Sequence, residues 1–491
     1  MTPLFGQEHG YWRPATMLVL GLAHRMGGAF GVHLLALALH TINSFAIRSL
    51  VARVLPSGPA LWVAVMFAVH PVQAESVAWC AALNDPLWVT FALQAMLAAA
   101  RWRDAGRRGL PWLVGAFVFL SLSAKEAGAV TIPLVLATLV WLPTRSNAPK
   151  QPAAWRRALA MSMTAAALWF VARSAARGDS FDLGLLRRQA SPLSGLTDVL
   201  RWPQLLVAQL GLLIAPLPQN PVRTVPELPA GTSMVFTIAV GIAAVAVWSW
   251  RRRLSNRARF GLALMLLPVL PTVFNERTIG IYPIADRYAY LSAAGVSLLL
   301  AVLPGVWRWP RLLWLAPLLI APWTFRSTWL WSDMRSFCDN AVAVAPDDPL
   351  VLTLAGDHHL TLAMKGDWWA LGQAYSLYSR AIAAVPAAES RVQLRRSAVT
   401  ANLGFAWCKL LRTDLEIGTA DEALAAFQVA IEAAPENASA WVGMGIACGK
   451  LRRLDAANEA FHRALQLDPD SSGAKQGLEH LQAMRTKPLL R

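Results

Sequence analysis

The sequence predicts an all-α fold in two parts, a polytopic bundle of about 10–11 membrane helices followed by an α-solenoid of helical repeats. Three observations predict it. Of 491 residues, 56% are hydrophobic and 15% charged, with 22 Trp and a mean hydropathy of +0.41, well beyond the composition of ordinary soluble domains. The positive charge is gathered in short loops between apolar runs. The last third of the chain repeats itself, with its last two units 34 residues apart.

The apolar runs fall near 28–50, 60–80, 86–100, 110–124, 128–142, 157–173, 199–217, 233–250, 258–274, 284–303 and 311–325. Each is long enough, or nearly so, to cross a hydrocarbon core of about 30 Å. The loops at Arg48/Arg53, Arg101–Arg108, Arg145–Arg157, Arg251–Arg259 and Arg308/Arg311 hold 17 basic residues against the single acid Asp104, which assigns them to the cytoplasm. The alternate loops, around Glu75–Asp85, Lys125/Glu126, 173–232 and 275–287, carry nine basic and nine acidic residues and face outward. An even number of crossings must then separate Arg173 from Thr232. The run Trp202–Leu217 is accordingly either half of a re-entrant pair or a helix lying at the outer interface. The same parity puts residues 1–27 outside and expects either an inward-to-outward helix upstream of Met1 or an N-terminus translocated unaided. No cleavable signal peptide is read in Met1–Pro14, which is polar and aromatic.

The net charge of +16 does not point to nucleic acid. Residues 1–325 carry 28 Lys+Arg against 11 Asp+Glu, whereas residues 326–491 carry 17 against 18, so the basicity belongs to the membrane loops and not to a phosphate-binding stripe. Cys80, Cys338, Cys408 and Cys448 show no metal spacing and read as structural. A bridge between Cys408 and Cys448 is compatible with an exported tail. The Trp-rich stretch Trp323–Trp331 marks where the chain leaves the bilayer.

In the tail, Ala374-x3-Tyr378 to Pro386, Ala423-x3-Phe427 to Pro435 and Ala457-x3-Phe461 to Pro469 each set Ala twelve residues before Pro. This is the tetratricopeptide pattern. Its first-helix signature recurs as Leu403-Gly404-x2-Trp407 and Trp441-x2-Met444-Gly445-x2-Cys448, with a degenerate form at Ala355-Gly356-x2-His359. Three repeats and a capping helix at Ser472–Met484 are expected. The domain division is 1–27 as an outer-face segment, 28–331 as the membrane domain and 332–491 as an extracytoplasmic repeat domain.

Polar residues interrupt the apolar runs at one depth. His70-Pro71-x3-Glu75-Ser76-x2-Trp79 ends one run, Asn84-Asp85 starts the next, Ser123-Ala124-Lys125-Glu126 joins another pair, and Asn275-Glu276-Arg277 with Asp286-Arg287-Tyr288 opens a later one. Ionisable groups at a membrane edge are costly unless paired or useful. Lys125 beside Glu126 and Arg287 beside Asp286 could hold a phosphate while a free carboxylate moves a proton. The plainer reading is of ordinary interfacial loop charges. His33, His40 and Asn43 share one face of a helix, a stripe read first as inter-helix hydrogen bonding and second as catalytic.

These residues resemble, in order along nearly the whole chain, the bacterial relatives of the transmembrane and tetratricopeptide-repeat-containing protein O-mannosyltransferases, of the GT-C class. The matching motifs are Tyr11-Trp12-Arg13-Pro14-Ala15-Thr16, Gly31-x-His33-x6-His40, His70-Pro71-x3-Glu75-Ser76-Val77-Ala78-Trp79, Ser123-x-Lys125-Glu126 and Ala285-Asp286-Arg287-Tyr288-Ala289-Tyr290-Leu291. The resemblance implies a bacterial inner membrane location and transfer of a mannose-like sugar from a polyprenyl-phosphate carrier, with inversion, to an acceptor on the outer face. It implies a catalytic carboxylate, for which Glu75 and Asp85 are the candidates, and a donor-phosphate site for which His70, Lys125, Glu126, Asp286, Arg287 and Tyr288 are the candidates. A divalent cation (Mg or Mn) often assists. The family keeps its key acid in a first outer loop of which only Glu8 stands here, so either the true start lies upstream or the chain is a shortened member. The partners implied are the bilayer, the lipid-linked donor and a protein acceptor in the repeat groove; no nucleic acid is expected. A non-catalytic, membrane-anchored repeat scaffold for envelope assembly is the alternative. A transporter is disfavoured, since no inverted repeat is apparent.

Overall fold

The structure is a computed structural model that describes residues 12–105, 111–144, 154–177, 196–214, 223, 229–250, 253–274, 284–385 and 392–486. Among the described residues all regular elements are helical and no β-strand occurs; an isolated antiparallel bridge joins Arg223 to Ile284. The all-α class read from the sequence holds. The chain divides into two compact units, Met1–Ser332 and Asp333–Arg491.

The first unit opens with helix Pro14–Val51, whose proline stands in the first turn, where no N–H partner is required. Its 38 residues would extend about 57 Å at 1.5 Å per residue, but Gly27 and Gly28 break it. Gly28 lies at φ +58°, a backbone region that side chains bearing a Cβ rarely adopt. Beyond the break the helix buries Val32, Ala36, Leu39, Ala46 and Ile47 and turns Phe30, Leu34, Leu37 and Phe45 outward. Helix Ala230–Trp250 likewise presents Val235, Ile238, Ile242 and Val245 outward, each more than half exposed. In water, apolar surface of this kind forfeits about 25 cal/mol per Å².

Two described helices, Pro14–Val51 and Ala154–Ala176, are long and apolar enough to cross a membrane; Ser57–Val69, Trp112–Ala124, Glu126–Trp141, Gly231–Ala246 and Ser292–Ala301 are apolar but shorter. The expected runs therefore do not all emerge as single long helices. Proline explains two of the breaks, because it lacks an N–H and clashes with the preceding turn. Near Pro71 the run 60–80 divides into Ser57–Val69 and Gln73–Ala78, and near Pro268 the run 258–274 divides into Asn256–Leu266 and Leu270–Phe274. The run Trp202–Leu217 belongs to helix Leu196–Ile214, with Pro203 inside it; residues 215–217 lie outside the described set.

Trp62, Phe67, Trp88, Met96, Phe260 and Tyr290 form part of this unit's core. Helices Asn256–Leu266 and Ser292–Ala301 meet backbone to backbone, since a Cβ on Gly295 would lie 2.7 Å from the Gly261 carbonyl oxygen. Small residues permit such approaches between helices.

The second unit begins with helix Met334–Val344. Three helix hairpins follow, Pro349–Met364 with Trp368–Ala383, Val392–Asp414 with Ala420–Ala433 and Ala438–Lys450 with Leu454–Leu467, and then helix Ser472–Thr486. Asp333, Asp348, Asp367, Thr419 and Asn437 cap five of these helices by accepting backbone N–H groups of the first turn. The periodic residues are the buried ones: Ala374, Ala423 and Ala457 are fully enclosed, as are Tyr378 and Phe427, with Phe461 nearly so. Tyr378 packs so closely on helix Pro349–Met364 that a Cβ on Gly356 would meet its ring at 2.8 Å. Its hydroxyl donates to Asp357 at 2.6 Å. All four cysteines are free thiols, so the Cys408–Cys448 bridge considered from the sequence is absent. Burial pushes the Cys338 and Cys408 thiols up to about 12, which leaves them inert at neutral pH.

Candidate functional site

The chain breaks that end the short apolar helices of the first unit also assemble its charges. Helix Ser57–Val69 stops at His70, whose extended backbone leads through Pro71 into the short helix Gln73–Ala78 bearing Glu75. Asp85 lies in the first turn of helix Asn84–Ala105, where the helix dipole favours a carboxylate. Helix Trp112–Ala124 ends at Lys125, which is extended at φ −160° and ψ 144°, before the tight turn Glu126–Val130. Asp286, Arg287 and Tyr288 lie in the turn Asp286–Ala289 that precedes helix Ser292–Ala301.

Four ion pairs result. Lys125 Nζ binds Asp85 Oδ1 at 2.5 Å, and the Arg287 guanidinium binds Glu75 Oε1. Arg13 donates through Nε and Nη2 to Glu126 at 3.0 and 2.8 Å. Arg223 donates to both oxygens of Asp286, at 2.7 and 3.2 Å, beside the bridge that joins Arg223 to Ile284. The sequence neighbours Lys125/Glu126 and Arg287/Asp286 thus do not serve each other. The extended backbone at Lys125 accounts for the first case, since successive side chains of an extended chain point to opposite sides.

Tyr288 joins the two inner pairs. Its ring has Lys125 Nζ 5.3 Å from the centroid and the Arg287 guanidinium carbon at 4.8 Å, both within cation–π range. Arg287 Nη2 also donates to the Tyr288 hydroxyl at 3.1 Å, and the guanidinium lies 5.1 Å from the ring centroid of Trp79. Trp79 in turn stacks on Trp331 with centroids 5.6 Å apart. Glu75 and Asp85 are almost wholly enclosed, at 3% and 2% exposure. Burial pulls the Lys125 ammonium below its ordinary range, and the Asp85 carboxylate beside it opposes that pull.

Glu75 Oε2 accepts the Arg287 backbone N–H at 2.9 Å, so both of its oxygens are engaged. Asp85 Oδ1 accepts from Lys125 and, at 3.2 Å, from Trp88 Nε1. Its Oδ2 is enclosed and has no hydrogen-bond partner among the described residues, and the same holds for Glu126 Oε1. Those unshared oxygens are where this cluster can take a proton. Among the described residues no three His, Cys, Asp or Glu side chains converge to hold a metal.

Of the candidates read from the sequence, Glu75, Asp85, Lys125, Arg287 and Tyr288 come together, while Glu126 and Asp286 flank them and turn to Arg13 and Arg223. His70 does not join them. Its Nε2 donates to the Leu213 carbonyl at 3.1 Å and its Nδ1 accepts the Val72 N–H at 3.4 Å, leaving no ring nitrogen for a ligand. Glu8, Asn275, Glu276 and Arg277 lie outside the described residues. The stripe on the first helix does serve helix-to-helix hydrogen bonding. His40 Nε2 donates to the Ala68 carbonyl at 3.1 Å and Nδ1 accepts from the Tyr290 hydroxyl at 2.8 Å, while Asn43 donates to the Pro86 carbonyl and to Tyr290 at 3.0 and 3.2 Å. His33 is exposed and meets Cys80 Sγ at 3.3 Å. Sequence reasoning assigned no role to Arg13, although it stands inside a motif, and Arg223 carried no local signal.

No family model matches the chain. Over 147 residues, 28% of this chain, it is 33% identical to the protein O-mannosyl-transferase Tmtc2 of Drosophila melanogaster. The match spans 16% of that relative's length. A part of this chain is therefore similar to part of a glycosyltransferase-type protein.

Proposed function

We propose that the chain is an integral-membrane glycosyltransferase that moves a mannose-like sugar from a polyprenyl-phosphate carrier to a protein or envelope acceptor. In this reading the first unit is the polytopic bundle in a bacterial inner membrane, and the second is an extracytoplasmic tetratricopeptide-repeat solenoid that recruits the acceptor. The observation that carries the reading is the charge cluster around Tyr288, with the part-buried cations Lys125 and Arg287 both against its ring and one unshared carboxylate oxygen of Asp85 in the same cluster. The similarity to an O-mannosyl-transferase and the outward apolar faces support it.

The chemistry follows from that arrangement. The acceptor hydroxyl oxygen forms the new bond to the anomeric carbon as the bond from that carbon to the phosphate oxygen breaks. Asp85, through Oδ2, takes the hydroxyl proton. Arg287 and Lys125 hold the departing lipid phosphate, the guanidinium through two parallel hydrogen bonds. Glu75 positions Arg287. A phosphate that binds here must compete with Glu75 and Asp85 for these cations, so donor binding loosens the two inner ion pairs.

The alternative is a non-catalytic membrane scaffold, favoured by one fact: four cations meet four carboxylates, a balance that needs no ligand. Incubation of membranes containing the chain with a radiolabelled polyprenyl-phosphate mannose separates the two readings. The enzyme labels an acceptor and the scaffold does not. A phosphatase fused after Arg491 tests the orientation: activity places the tail outside the cytoplasm, and inactivity alongside a fluorescent cytoplasmic fusion overturns the topology.

A further inference from the structure

Helix Met334–Val344 and the first hairpin of the tail border an open cavity of about 480 Å³, lined in part by Asp339, Val342, His359, Trp369, Gln373 and Ser376. The volume lies in the lower half of the range of about 300–1,000 Å³ typical of small-molecule sites. Each helix contributes one face. Asp339 lies near Val342 on the first, Ala355 and His359 are four apart on the second, and Trp369, Gln373, Ser376 and Leu377 recur at helical spacing on the third. Gly372 among them leaves open space where a Cβ would stand.

One feature above all marks this cavity as built for a ligand. Trp369 lines it and is 86% exposed, an unusual placement for so large an apolar ring. A flat aromatic face, an amide, a hydroxyl and a carboxylate over the apolar floor of Val342 and Leu377 suit a ligand with one apolar ring face and a rim of hydroxyls. Asp339 is the one formal charge among the lining residues, which disfavours phosphates and acidic peptides.

We infer that this cavity binds a neutral carbohydrate of one or two pyranose rings, stacked on Trp369 and hydrogen-bonded by Gln373, Ser376 and Asp339. The site lies in the second unit alone and does not depend on the transfer reaction, since a scaffold could hold a glycan in the same way. An extended peptide fits less well, because the lining comes from three consecutive helices and not from a groove along successive hairpins.

The test titrates the full-length protein, in a detergent without a sugar headgroup, with methyl α-mannopyranoside, methyl α-glucopyranoside, methyl α-galactopyranoside and an α-linked mannobiose, read by saturation-transfer NMR and calorimetry. Saturable binding of at least one glycoside is expected. Trp369→Ala and Gln373→Ala should each weaken it about tenfold or more, an effect of about 1.4 kcal/mol, while Trp369→Phe retains part. Trp368→Ala, which alters an adjacent half-exposed ring outside the lining, should leave it unchanged. Because Trp369 is exposed, its truncation does not endanger the fold. Absence of saturable binding by the unaltered protein, or equal binding by Trp369→Ala, overturns the inference, as does a short unglycosylated peptide that binds there while every glycoside fails.

Discussion

Glu75 receives both the backbone N–H and the guanidinium of Arg287, a residue 212 positions further along the chain. One carboxylate thereby fixes where Arg287 sits and where its side chain points. With both oxygens occupied, Glu75 has no unshared oxygen to take a proton. Asp85 retains that capacity through Oδ2. The two acids, indistinguishable as candidates in the sequence, differ in the structure in how their oxygens are hydrogen-bonded.

That difference is measurable. Asp85→Asn should lower kcat by about 10²–10⁴-fold, the range typical of losing a general base. Glu75→Gln keeps an acceptor for the Arg287 N–H, and it should raise the KM for the lipid-linked donor more than it lowers kcat. Steady-state kinetics with varied donor reads both. Equal kcat losses in the two variants would remove the distinction.

The Asp85–Lys125 pair is enclosed, with side chains 3% and 12% exposed. Lys125→Met alone strands a buried carboxylate and should cost about 3–5 kcal/mol, whereas Lys125→Met combined with Asp85→Asn should recover most of that loss. Thermal unfolding of the detergent-purified chain is the readout. Additive losses would show that the pair does not act as a unit.

In the tail, burial raises Asp357 from 3.8 to about 6, opposed by the hydrogen bond from Tyr378. The sign follows from proton binding: between these values the folded chain holds a proton that the unfolded chain has lost, so the contribution is full below about pH 4 and falls away as pH rises through about 6. The loss should be about 1–2 kcal/mol, allowing for the partial exposure of the carboxylate. Asp357→Asn keeps an acceptor for Tyr378 and removes the titration. Its stability relative to the unaltered chain should therefore rise across that window, as followed by the melting temperature of the full-length protein from pH 4 to 7.

Much of this architecture was legible in the sequence. The alternation of Ala374, Tyr378 and their counterparts specified the buried contacts of the tail hairpins, because a fixed spacing between a small residue and an aromatic reports directly on helix-to-helix packing. The polar interruptions Glu75, Asp85, Lys125 and Arg287 marked a site for a similar local reason, the cost of charge among apolar helices. Pairing was not legible. Which cation meets which carboxylate depends on the backbone at Lys125 and on the approach of Arg13 and Arg223 from distant segments, and neither leaves a local pattern. His70 misled because a histidine beside a proline reads alike whether it binds a ligand or, as here, ties down backbone at a helix end.

The most direct test of the account is sugar transfer by membranes carrying Arg287 variants, with a labelled polyprenyl-phosphate mannose as donor and folding checked by detergent-extracted yield. Arg287→Ala should weaken donor binding or turnover by about 2–5 kcal/mol, as expected for truncating one member of a hydrogen-bonded buried pair, and Arg287→Lys should recover only part, since an ammonium lacks the planar fork. The control is Arg335→Ala, which alters an exposed side chain of the tail paired loosely with Asp339 at 3.8 Å and should leave transfer intact. Equal transfer by Arg287→Ala and Arg335→Ala in well-folded protein would contradict the account and return the cluster around Tyr288 to a purely structural role.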